Sequence, residues 1–137
     1  MTTWRDELLE AIKTRVEREA EEETKRIKRL EEALKVAEDA LLMAHENLRF
    51  TQEQLLVKEQ LATVTPAGDA ATLELHGQTL TVDLDRAGAI LKVAANGSRP
   101  REFDFAKDRH ISPKDVEEYV GRRALEMVRA AHKIAPW

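Results

Sequence analysis

The residues best suited to chemistry in this 137-residue chain are few and scattered. "DFAKDRH" brings Asp104, Asp108 and His110 into one short stretch. Two hard carboxylates beside an imidazole are donors a divalent cation accepts, which would suit a metal-dependent hydrolase. A polar loop leading into a helix cap explains the same residues without a metal, and that plainer reading is adopted. "DLD" places Asp83 and Asp85 on one face of an expected strand. Paired carboxylates do acid–base work only beside a matched partner and a pocket, and the sequence supplies neither. The four histidines, His45, His76, His110 and His132, fall on different expected elements. There is no cysteine, which excludes disulfides, thiolate metal sites and a cysteine nucleophile. No phosphate-binding glycine loop, HExxH or GxSxG motif occurs. No catalytic residue, no resident metal and no cofactor is therefore assigned, and the chain is expected not to be an enzyme.

A second chemistry to weigh is phosphate binding. Arg99, Arg101, Lys107 and Arg109 cluster late in the chain, followed by Arg122, Arg123, Arg129 and Lys133. Such groups grip nucleic acid when their field adds up. Here Glu102, Asp104, Asp108, Glu118 and Glu126 interleave with them, and the chain as a whole carries a net charge of -4. A nucleic-acid-binding regulator using Arg99, Arg101, Arg109, Arg122 and Arg123 is the alternative reading, not the leading one.

The elements that would position these residues are easier to read. From Thr3, a capping residue with Asp6 three positions on, nothing breaks a helix until about Thr63. At about 1.5 Å per residue that is a rod of roughly 90 Å, longer than a domain of this size. Along it Ile27, Leu34, Leu41, Leu48 and Leu55 recur every seven residues, with Leu30, Ala37, Ala44 and Thr51 three positions after the first four. This is the pattern of a coiled-coil seam, and it is assigned to a partner chain. A second line, Val36, Met43, Phe50 and Val57, widens the apolar face of the same helix. Asn47 and His45 flank that face, where a polar residue more often sets register than binds a ligand.

"TPAGD", from Thr65 to Asp69, holds the first proline and glycine and marks the boundary between a long coiled-coil helix over 1–64 and a small head over 65–137. Beyond it the apolar period falls to two. A turn at Gly77-Gln78, a loop at Asp85–Gly88 and a loop at Asn96–Pro100 predict a four-stranded antiparallel meander. The expected pairs are Leu75 with Leu80, Val82 with Leu91 and Leu91 with Phe105. Ser112, Pro113 and Asp115 then open a last helix. One of its stripes, including Val116, Val120 and Met127, should cover the sheet; Leu125 and Val128 on another should meet the line from Val36 to Val57.

The architecture expected is α+β, a coiled-coil helix with a ββββα head. The function expected is that of a non-catalytic oligomeric interaction protein, a scaffold, adaptor or assembly factor. Its partners are expected to be a second copy of itself, as a homodimer or alternatively a tetramer, and another protein. No run of residues is apolar enough to span a membrane, and the N-terminus lacks the apolar core of a signal peptide, so the location expected is cytoplasmic.

Overall fold

The computed structural model describes residues 3–137. Two helices open the chain, α1 over Trp4–Ala11 and α2 over Arg15–Val57. Five strands follow, β1 (Ala62–Ala67), β2 (Ala70–Leu75), β3 (Gln78–Asp85), β4 (Ile90–Ala95) and β5 (Arg101–Asp104), and a last helix, α3, covers Pro113–Ile134. The class is α+β. Among the described residues no helix is long and apolar enough to cross a membrane.

The long helix is interrupted where continuity was expected. Thr14 is extended, and its hydroxyl accepts from the backbone N–H of Glu17, so it caps α2 rather than continuing α1. The corner is pinned from both sides. Arg18 donates to the Glu10 carbonyl at 3.0 Å, adding to the bond this carbonyl accepts from the Lys13 N–H at 3.3 Å. The Lys13 ammonium bridges Glu10 and Glu21, both at 2.7 Å. At its other end, α1 begins with a reciprocal capping box between Thr3 and Asp6. The remaining rod, α2, is 43 residues and therefore about 65 Å long.

The sheet is an antiparallel meander in the order β1-β2-β3-β4-β5, with five strands where four were expected. The additional strand is β1, which spans the boundary expected at Thr65 and takes in the end of the region 1–64 expected as helix. Pro66 tolerates a strand because β1 lies at the sheet edge, where one side of the backbone needs no ladder partner. Each expected pairing is displaced by two residues. Leu73 faces Leu80, Leu84 faces Leu91 and Leu91 faces Phe103. The first displacement arises because the turn residues are His76 and Gly77, with φ of 50° and 82°, not Gly77 and Gln78. Two consecutive left-handed residues match the twist of a hairpin. A shift of two preserves the face, since side chains alternate with period two. Leu73, Leu75, Leu80, Val82, Leu91 and Phe103 accordingly all point inward, as the pattern required.

Both α2 and α3 cover that inner face, making a two-layer fold. Val116, Val120, Ala124, Met127 and Ala131 form the buried stripe of α3. Ser112 opens this helix, its N–H donating to Asp115 Oδ2 at 2.8 Å. The hydrophobic cluster runs across position 65, joining Ala62 and the second half of α2 to the strands and α3. Each fully buried leucine, among them Leu48, Leu73, Leu75, Leu80 and Leu91, is worth about 1.5–3 kcal/mol of transfer free energy.

The apolar lines of α2 take the reverse of their expected places. From the line assigned to a partner chain, Ala37, Leu41, Ala44, Leu48 and Leu55 are buried in the chain's own core. Leu30, Leu34 and Thr51 are half-buried, and Ile27 stands exposed beyond the head. From the line assigned to the head, Phe50 is 63% and Val57 72% exposed; Val36 is exposed, and Met43 is half-buried. The physical reason is size. Ala37, Ala40 and Ala44 let the sheet and α3 approach α2 closely, which the larger side chains of the second line would prevent.

Candidate functional site

The two helices lie side by side and run in the same direction. Val36 of α2 lines one hollow with Ile111 just before α3, Asn47 reaches Glu117, and the far ends meet where Trp137 packs near His76, which in turn bonds Gln60. The side-chain amide of Asn47 donates to the Glu117 carbonyl at 2.9 Å. Opposite it is Gly121, where an added Cβ would meet Asn47 Nδ2 at 3.8 Å, an ordinary van der Waals contact. The buried alanines of α2 hold the pair close on the sheet side, and the polar stitch joins them at the groove. On the solvent side the larger residues splay apart and leave an open groove of about 560 Å³.

The floor of this groove is Leu55 and Ala124, and its walls are Phe50, Leu125, Val128 and Trp137. Leu125 is 42% exposed and Val128 half-buried; neither pairs with the full line from Val36 to Val57, as had been expected. Phe50 and Leu125 instead present adjoining apolar surface to solvent. Trp137 closes one end, edge-on to His132 with ring centroids 4.8 Å apart. Lys58 lies at that end, and Arg129 and Lys133 surround Trp137; Glu117 and Glu118 lie near the other end. An apolar trough with a mixed polar rim, between two helices, is the shape that receives an amphipathic helix. The sequence placed the second apolar line in contact with the last helix rather than in an open groove, and the part played by Trp137 carried no local signal.

The other candidate residues are occupied locally. Asp104 Oδ1 accepts from the N–H groups of Ala106 and Lys107, and Asp108 Oδ1 from that of His110, so these carboxylates shape their own loop. Among the described residues no group of three or more His, Asp or Glu side chains is arranged to hold a metal ion, so Asp104, Asp108 and His110 do not converge as a ligand set. Asp85 accepts from the Ala87 N–H, and Asp83 sits in a cross-strand row with Lys92 and Glu102.

Three of the five arginines weighed for nucleic acid, Arg101, Arg122 and Arg123, are similarly engaged. Arg101 lies over both Phe103 and Tyr119 at 4.9 Å from each ring. Arg123 covers the same tyrosine and donates to its hydroxyl at 3.0 Å; that bond, then one to Glu126, raises its pKa. Arg122 pairs with Glu118 at 2.7 Å. Arg99 and Arg109 stand exposed in loops.

One polar cluster escaped the sequence reading. Arg86, in the β3–β4 loop, grips both oxygens of Asp69 at 2.7 and 2.8 Å and reaches Glu38 of α2 at 2.8 Å. It clips two loops to the helix, holding the Asp69 carboxyl below its usual range. Beside it the ring Nε2 of His45 is buried with no hydrogen-bond partner among the described residues. Burial lowers the His45 pKa, a hydrogen bond to the Asp69 backbone opposes this, and Arg49 adds to the lowering. These residues are far apart in sequence, so no spacing rule could gather them.

No family model matches the chain, and no curated protein or solved structure matches it either.

Proposed function

We propose that this chain is a non-catalytic, self-associating interaction protein that holds a small α+β head on a helical rod and binds through the groove between α2 and α3. The observation that carries the reading is the exposure of Phe50 and Leu125 on adjoining helices, beside Trp137, over an apolar floor. Large apolar side chains gathered on one open trough mark an interaction surface more than scattered ones do. Five of the nine residues first assigned to a partner chain are buried in the chain's own core, which supports association through this other surface.

The functional logic is spacing. The part of the rod that projects beyond the head, from Arg15 to Arg29, sets α1 roughly 20 Å away, so one molecule presents two separate contact elements, and linked contacts raise effective concentration without new chemistry. Sedimentation velocity on the full chain tests the reading. Self-association in the micromolar range is expected, and Phe50→Glu/Leu125→Glu should abolish it while leaving the helical circular dichroism intact. A monomer throughout, or a variant that associates like the parent chain, would contradict it.

A further inference from the structure

The groove is one unpartnered apolar surface; α1 is another. None of its residues is buried. Trp4, Leu8 and Ile12 follow one another at four-residue spacing, with Leu9 beside them, and all four are exposed. Eight residues are far fewer than the roughly 12–15 an isolated helix needs to be even marginal in water. Yet α1 is capped at its start and fixed at its end by Arg18 and Lys13. A short helix so fixed, with its apolar side in solvent, is prepared for a surface it does not find in its own chain.

We propose that the groove of one molecule receives α1 of a second copy. This rests on the groove being the self-association surface and names its occupant. Length fits: α1 extends about 12 Å, and the stretch of α2 from Asn47 to Lys58 about 16 Å. Charge fits as well. The polar side of α1 carries Asp6 and Glu7 against a single Arg5, with Glu10 already held by Lys13; Lys58 lies at the Trp137 end of the groove, and Arg129 and Lys133 line the hollow on the other side of Trp137. The molecule's own α1 is out of reach, since the span of α2 from Arg15 to Asn47 sets it roughly 50 Å away. Trp4 and Leu8 enter the trough against Phe50, Leu125 and Val128, and α1 gains the cover that keeps it helical.

The test uses two full-length variants and their mixture. Trp4→Glu/Leu8→Glu disables α1, and Phe50→Glu/Leu125→Glu disables the groove; all four positions are exposed, so the head should fold in both. By sedimentation velocity each variant alone is expected to be monomeric at tenfold the concentration at which the parent chain associates. Their equimolar mixture is expected to form a heterodimer, because an intact α1 meets an intact groove. If the α1 variant associates like the parent while the groove variant does not, the occupant is another segment and this inference falls, although the groove remains the interface. If both variants are monomeric and the mixture stays monomeric, α1 and the groove do not meet each other and the inference again falls. If the parent chain never associates, both readings fail together.

Discussion

Asn47 on α2 donates a 2.9 Å hydrogen bond to the Glu117 carbonyl on α3, and this contact between residues 70 positions apart sets the two helices side by side in one register. The groove exists because that register places Phe50 opposite Leu125. Asn47→Ala removes the stitch without removing apolar surface. A loss of about 0.5–1.5 kcal/mol is expected, the usual net worth of one such bond. Urea denaturation measures it, and weaker self-association should accompany it.

Leu48 and Phe50 are two positions apart on one helix and have opposite fates. Leu48 is 0% exposed and Phe50 63%. Leu48→Ala should cost about 2–5 kcal/mol, the range for emptying a buried leucine site. Phe50→Ala should stay within about 0.5 kcal/mol in the monomer, as surface changes do. The reverse order in chemical denaturation would show that the other apolar line forms the core.

That pair also shows where the sequence stopped being informative. Heptad spacing revealed two apolar lines on α2 and the angle between them, but not which faced the chain's own sheet. The alanines of the inner line were the available clue, since close packing needs small side chains. The faces of the strands were readable because an error of two residues leaves a side chain on the same side. Register was not, because it depended on whether His76 or Gly77 began the turn. β1 was hidden by Pro66, a poor strand residue anywhere but at an edge. The Thr14 cap was hidden by strong helix formers on both sides. As for the groove, Phe50 and Leu125 were visible as surplus apolar residues, whereas Trp137 reaches it only through the tertiary fold.

His45 gives the stability a pH dependence of known sign. Burial lowers its folded pKa below the ordinary imidazole value of about 6.5, so the unfolded chain binds the proton more readily. Its contribution is therefore complete above about pH 6.5 and is lost as pH falls through the lowered folded value. Asp69, Arg49 and Arg86 are the charged groups around it. His45→Gln should flatten the slope of unfolding free energy just below about pH 6.5, the ordinary imidazole value at which the loss begins. An unchanged slope would show that His45 is not the titrating group.

Arg86 governs the more acidic limb. Its bonds hold the Asp69 carboxyl below the ordinary value, so that contribution is present above about pH 3.9 and fades as pH falls through the lowered one. Arg86→Gln should return the Asp69 titration toward ordinary carboxylates, so that this contribution and its loss in acid both disappear. Carboxyl-carbon NMR titration of Asp69 reads the change directly.

The meeting of α1 with the groove can be measured as a distance. The chain has no cysteine, so single labelling sites are clean. One population carries a nitroxide at Glu7→Cys and a second at Gln54→Cys, and the two are mixed before double electron–electron resonance. Because each molecule holds one label, a Glu7-to-Gln54 distance arises only between copies. Docking predicts a population at roughly 15–20 Å, one helix diameter plus the label arms. Absence of any coupling below about 50 Å, the approximate rod length between α1 and its own groove, in a sample that sedimentation shows to be associated would contradict the account.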